Sequence, residues 1–243
     1  MLDADDVAEP RRLETLVGLA ESSGASLVFD NLTVVRGRSV FPYVRPGVVG
    51  QLITFEQFVA SHHPRSRVPN LGYLKPFVRR DVLLEADLRY REDLVIGEDS
   101  VLALELLRRR DALWCPEPLY LYWIGPASTS RLPPADSLVR FAQEMDRLCR
   151  DRAAGRPQDV AVARTLTYVA RQAERARIAD LMVDGRQGDA LRRLVRGPSL
   201  LPEVALSVGS RLAHRAARGL RARPPGSRAE RATSADRDGR ARM

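Results

Sequence analysis

Between Pro10 and Trp123 the sequence alternates two apolar spacings that no single kind of element can satisfy, and this alternation limits the fold more than any other feature. Behind Pro10, which suits a first helical turn, Leu13, Leu16, Val17 and Ala20 recur at helical spacing, and Gly24 supplies a stop. Ser26 to Val35 then reads as a strand, with Gly37 and Gly47 punctuating the loop after it. Thr54-Phe55-Glu56-Gln57 has the form of a capping box opening a short helix through Val59. Leu71 to Val78 reads as extended, and Asp81 as the cap of a helix holding Val82, Leu83 and Leu84. A further helix is expected from Glu98 or Asp99 to Arg110. Ala112 to Cys115 and Leu119 to Trp123 read as strands broken by Pro116 and Pro118. Helices and strands in alternation predict an α/β domain with a mostly parallel sheet and flanking helices.

From about residue 133 the strand signals stop. Three helices are expected near 135–152, 158–184 and 187–195, separated by Gly155-Arg156-Pro157 and by Gly185. After Gly197-Pro198 a helix candidate runs to about Leu220, and the remainder is rich in Arg, Pro, Gly and Ser and is expected to be partly disordered. The expected organisation is therefore 1–131, a helical extension over 132–197, and a basic tail over 198–243.

Charge follows the same division. The formal net charge is +8, yet ten arginines against Glu230, Asp236 and Asp238 lie from Arg211 onward, leaving 29 basic and 28 acidic side chains before it. A nearly neutral body without a nucleic-acid motif argues against a specific nucleic-acid partner. Lys75 is the one lysine in the chain, which reads as a coding bias. Cys115 and Cys149 form no close-spaced pair, so neither a disulfide framework nor a zinc cluster is indicated. Apolar runs fall far short of the roughly 20 residues that span a bilayer, and Met1-Leu2 leads straight into aspartates. A reduced, cytoplasmic protein is expected.

Three constellations carry possible chemistry. In Leu2-Asp3-Ala4-Asp5-Asp6 the crowded carboxylates either serve the N-terminus of the following helix or hold a hard cation such as Mg²⁺ or Mn²⁺ against a diphosphate. In Ile96-Gly97-Glu98-Asp99 a carboxylate at a helix start is either a cap or an ionised general base. Tyr120 and Tyr122 either pack a sheet face or stack on sugar rings, and the Ser128-Thr129-Ser130-Arg131 loop ends in a side chain suited to phosphate. His62-His63 lacks a ligand pattern and reads as a loop pair.

In this order the segments resemble the family 2 glycosyltransferases, which adopt the GT-A fold, and within them the bacterial exopolysaccharide enzymes of succinoglycan type. Leu2 to Asp6 with Pro10 to Leu13 resembles the metal-binding segment and the helix after it. Gly72 to Arg80 resembles the acceptor-side strand, Asp93 to Asp99 the acceptor-side acidic motif, and Pro116 to Tyr122 with Ser128 to Arg131 the end of the catalytic domain. The resemblance covers roughly residues 1 to 131 and implies an incomplete, Rossmann-like GT-A domain. It implies Asp5, assisted by Asp3, as the site of Mg²⁺ or Mn²⁺ on the diphosphate of a nucleotide sugar, in the first instance a UDP-sugar. It implies Asp99 as the base on the acceptor hydroxyl, Glu98 beside it, Arg131 on phosphate, and transfer with inversion to a glycan or lipid-linked acceptor.

Two departures qualify this. The family's nucleotide-binding half precedes the D-x-D, whereas this chain begins there, so the expectation is either a longer protein or a truncated remnant that binds acceptor glycan or a partner protein. Gln172-Ala173-Glu174-Arg175 is followed by Ala176 where processive members carry the Trp of Q-x-x-R-W, which implies transfer of single sugars. Val204, Val208, Leu212 and Leu220 with Arg211, Arg215, Arg218 and Arg221 suggest peripheral contact with the inner face of the cell membrane, although Arg215 falls near the azimuth of Val204 and Val208.

Overall fold

Two long strands, β2 (Leu27–Arg36) and β6 (Ala112–Trp123), run parallel and carry the sheet. The structure is a computed structural model that describes residues 6–124, 133–153 and 159–221. Four short strands flank the central pair, all antiparallel to their partners. β1 (Val7–Ala8) and β4 (Leu52–Ile53) lie against β6, while β3 (Ser39–Pro42) and β5 (Pro76–Val78) lie against β2. The expected parallel character is thus concentrated in the central ladder, and loop length is the reason. Gly37, at φ 59°, and Arg38 form a two-residue turn that can only fold β3 back onto β2. Reaching the parallel position at β6 instead takes a long crossover, which contains α2 (Phe55–Ser61), α3 (Arg80–Glu85) and α4 (Glu98–Leu107).

Local signals explain most boundaries. α1 (Arg12–Ser23) ends at Gly24, whose φ of 69° is the left-handed cap that glycine tolerates. Thr54 caps α2 by accepting from the Gln57 amide at 3.1 Å. The stretch expected to be extended from Leu71 instead makes a 3₁₀ turn over Leu71–Tyr73, because the Asn70 side chain accepts from the Gly72 amide at 2.9 Å before the chain straightens into β5. Asp81 lies inside α3, and Arg79 takes the cap position.

The two strands expected on either side of Pro116 and Pro118 are one, β6, with a register shift where the prolines withhold their N–H groups. Asn31 fills that gap. Its amide donates to Val44 O at 2.9 Å and Pro116 O at 3.3 Å, and its oxygen accepts from the amides of Leu32 and Val44.

β2 is buried on both faces. One face joins the main core of Phe29, Leu32, Phe55, Phe58 and Leu104, to which α5 (Ala135–Ala153) adds Phe141, Met145 and Leu148. The other face meets α1 through Leu16, Val28, Cys115 and Leu119. Both cysteines are buried and free.

α5, α6 (Val160–Val183) and α7 (Gln187–Arg196) follow the three expected helices closely, and α8 (Leu201–Arg221) follows the candidate after Gly197-Pro198. The chain divides into two compact units, Met1–Arg177 and Ile178–Met243, with the division inside α6. In the second unit Val204 and Val208 pack with Ile178, Ala190 and Leu200, and this corrects the expected lipid-facing stripe. Arg211 lies on that face because Asp180 receives it at 2.6 Å, and Arg215 approaches Asp184 at 3.6 Å, one helical turn on from each. Among the described residues no helix is long and apolar enough to cross a membrane.

Candidate active site

Gly97 begins the site. Its φ of 76° turns the chain into α4, and an added Cβ would lie 2.5 Å from the Phe141 ring. We expect Gly97→Ala to destabilise the first unit by about 2–3 kcal/mol, the left-handed penalty plus overpacking, as read by chemical denaturation. An unchanged midpoint would show that the loop relaxes freely. The approach to Gly97 is fixed as well. Arg91 holds Asp93 through two contacts at 2.8 and 2.9 Å, Arg140 of α5 donates to Asp93 O at 3.0 Å, and Leu94 is buried. α5, expected to belong to a separate extension, therefore supports the acidic loop.

Glu98 and Asp99 occupy the first turn of α4, where the helix dipole favours negative charge. Both are half-buried. Lys75 Nζ donates to Asp99 Oδ2 at 3.1 Å, with the two side chains only 14% and 21% exposed. Tyr90 faces Asp99, and its phenol is pushed up to about 12, by burial first and then by the Asp99 charge. A folded-state value above the unfolded one means that this contribution is complete below about pH 10 and lost as pH rises toward 12.

The expected loop pair begins at His62, the residue that ends α2 next to Ser100. His62 is half-buried and packs against the rings of Phe58 and Phe141. Its Nδ1–H donates to Phe58 O at 3.0 Å, which leaves Nε2 to accept from the Ser100 hydroxyl at 3.4 Å. Gly72 closes this contact, since a Cβ there would come within 2.4 Å of Ser100 Oγ and 2.9 Å of His62 Nε2. Burial lowers the imidazole to about 4. Because the folded-state value is depressed, its contribution is present above about pH 6.5 and lost as pH falls toward 4. We expect an NMR titration of His62 to show a midpoint near 4, with the folded state weakening over that window. A midpoint near 6.5 would contradict the burial.

A continuous set of contacts links Asp99 to the acidic segment at the start of the chain. Lys75 O accepts from Arg12 Nη2 at 3.0 Å. Arg12 grips the fully buried Asp30 with two contacts of 2.8 Å, and its guanidinium lies 5.2 Å from the Tyr120 ring centroid. The Tyr120 hydroxyl donates to Asp6 Oδ2 at 2.9 Å, and Asp6 Oδ1 accepts from the Trp123 amide at 3.1 Å. Asp3, Asp5 and Arg131 lie outside the described residues. Asp6 is thus the described end of the acidic segment, with both its carboxylate oxygens engaged by β6. Among the described residues no cluster of three or more His, Cys, Asp or Glu side chains could hold a metal. Hard carboxylate oxygens from Asp3 and Asp5 are the donor set that Mg²⁺ or Mn²⁺ prefers.

Tyr120 is buried under Arg12, whereas Tyr122 and Tyr43 flank the exposed ring of Tyr73, each with centroids 6.0 Å from it. Tyr43 donates to Asn70 O at 2.9 Å, and burial raises its phenol. Two open grooves lie elsewhere. One of about 570 Å³ is lined by Asn31, Arg45, Gln51, Trp114 and Pro118, and one of about 410 Å³ by Ser26, Val82, Glu85, Arg109 and Arg110.

No family model matches the chain. The chain is 30% identical over 235 residues to the succinoglycan biosynthesis protein ExoO of Rhizobium meliloti (strain 1021). That alignment takes in 90% of this chain and 64% of ExoO, so the chain spans less than two thirds of the curated relative's length. Among solved structures it is similar to S. aureus TarS 1–349 in complex with UDP-GlcNAc, with TM-score 0.45 and 13% identity over 73% of this chain and 48% of that one. For the same protein with UDP the TM-score is 0.41, at 14% identity over 71% and 44% of the two chains.

Proposed function

We propose that this chain carries the metal and acceptor side of a family 2, GT-A glycosyltransferase of bacterial exopolysaccharide biosynthesis. It would transfer single sugars from a nucleotide sugar, in the first instance a UDP-sugar, to a hydroxyl of a glycan or lipid-linked acceptor. One observation carries the reading: Asp99, at the head of α4 and paired with Lys75, stands at one end of a contact path whose other end is Asp6. Similarity to ExoO, a succinoglycan biosynthesis protein, supports the polysaccharide setting.

In this mechanism the Asp99 carboxylate takes the proton of the acceptor hydroxyl as its oxygen bonds to the anomeric carbon. The bond from that carbon to the diphosphate oxygen breaks on the opposite side, the nucleoside diphosphate leaves, and configuration inverts. Glu98 orients the acceptor or the base. Mg²⁺ or Mn²⁺ held by Asp3 and Asp5 would supply Lewis-acid stabilisation of charge on the leaving diphosphate. Arg131 would contact phosphate. With a lipid-linked acceptor the reaction would run at the inner membrane face. There the basic C-terminal sequence would act through its charge, Val204 and Val208 being committed to the core of their own unit.

The test is incubation with UDP-sugars and membrane or glycan acceptors, with Mg²⁺ or Mn²⁺ or with chelator, following UDP release and labelled product. Metal-dependent release lost in Asp5→Asn is the expected result. Acceptor binding with no UDP release under any condition would instead favour a non-catalytic glycan-binding chain.

A further inference from the structure

The chain has 39 basic side chains other than histidine, and 38 of them are arginine. Its one lysine is therefore an exception to a strong bias, and the structure places that exception on Asp99. Lys75 is held from both ends. Its carbonyl is fixed by Arg12, itself clamped on Asp30, and its neighbours are the buried Leu74 and Pro76 at the head of β5. Its ammonium donates to Asp99 Oδ2 at 3.1 Å.

Two arginines of the first unit, Arg12 and Arg91, hold their carboxylates differently. Arg12 covers both oxygens of Asp30, at 2.8 and 2.8 Å, and Arg91 covers both oxygens of Asp93, at 2.8 and 2.9 Å. That is the natural geometry of a planar fork, which matches a carboxylate two bonds at a time. Both carboxylates so covered hold structure in place. An ammonium is a compact point charge with no such fork, and it anchors a carboxylate through one oxygen. A general base needs both properties: a fixed orientation, and lone pairs left to accept a proton from substrate.

We propose that Lys75 is the positioning residue of the site, fixing Asp99 through one oxygen so that its carboxylate is oriented without being closed by a guanidinium fork. Among the described residues Tyr90 and Glu98 are titratable groups that also face this pair, and Arg12 donates to the Lys75 carbonyl. The use made of the accessible lone pairs rests on the reading of Asp99 as the acceptor base, whereas the orienting role does not.

Two substitutions in the full chain separate the parts of this proposal. In the NMR spectrum the Hα–Hβ couplings of Asp99 should report one χ1 rotamer in the wild type. They should average in Lys75→Met and stay those of one rotamer in Lys75→Arg. Sugar transfer should fall at least tenfold in kcat in both variants with donor KM unchanged, in the first because the base is loose and in the second because it is covered. Unchanged Asp99 couplings in Lys75→Met would overturn the positioning role, and a Lys75→Arg protein with wild-type kcat would overturn the argument from the fork. Couplings that respond as expected in a wild-type chain that transfers no sugar would uphold the positioning role and sink the sugar-transfer reading instead.

Discussion

Replacing Asp99 by Asn is expected to lower the rate of sugar transfer by about 10²–10⁴-fold, the range general-base catalysis supplies, while donor affinity stays near the wild-type value. The substitution keeps size and shape, and an Asn oxygen still accepts from Lys75 Nζ, so α4 and its Gly97 turn are left intact. Only the ability to take a proton is removed. Steady-state kinetics separate these effects, since the loss should sit in kcat with donor KM conserved. An Asp99→Asn protein with wild-type turnover would remove the base from the mechanism and leave Asp99 a helix-start carboxylate. A parallel rise in donor KM would mean that the change had reached the nucleotide side.

The largest loss of stability is expected from Arg12→Met. Asp30 is fully buried in β2, and Arg12 is its partner in the structure through both oxygens. Burial pushes the Asp30 carboxyl up, and the Arg12 guanidinium pulls it back. Removing one member of such a pair strands a buried charge and costs about 3–5 kcal/mol, whereas removing both in favour of apolar groups is often nearly neutral. Arg12→Met with Asp30→Leu should therefore recover most of what Arg12→Met alone loses. The single variant should also weaken further as pH rises, because a carboxyl raised in the folded state favours folding while protonated and opposes it once ionised. Denaturant titrations followed by the fluorescence of Trp114 and Trp123, both in the first unit, provide the measurement. A single variant as stable as the double one would show that Asp30 has another way to be satisfied.

How much of this could be read from the sequence follows from the range over which each signal acts. Gly24, Thr54 with Gln57, and the apolar run behind Glu98 act within one turn, and the structure places α1, α2 and α4 where those signals put them. The pairings that build the site act across the chain. Arg12 finds Asp30 18 residues away, Lys75 finds Asp99 24 away, and Tyr120 finds Asp6 114 away. Nothing periodic announces such pairs. One clue was present all the same: Asp30 interrupts an apolar strand, and a buried carboxylate requires a partner. Another was Lys75, whose isolation among arginines reads as bias until its contact with Asp99 is seen. The packing of His62 is not legible because it depends on Gly72 and Ser100, neither of which is near it in sequence. The conflict between Arg215 and the valines of α8 resolves only when Asp180 and Asp184 are placed opposite.

In the proposed mechanism the acidic segment at the start of the chain and the acidic turn of α4 serve one cleft. Paramagnetic broadening by Mn²⁺ tests it most directly. With ¹⁵N-labelled protein and substoichiometric Mn²⁺, the amide signals of Asp6, Trp123, Lys75 and Asp99 should broaden selectively, and Asp5→Asn should restore them. Broadening that spares Asp99 and Lys75 while Asp6 is bleached, or that survives Asp5→Asn, would place the metal away from the proposed base and contradict the shared cleft.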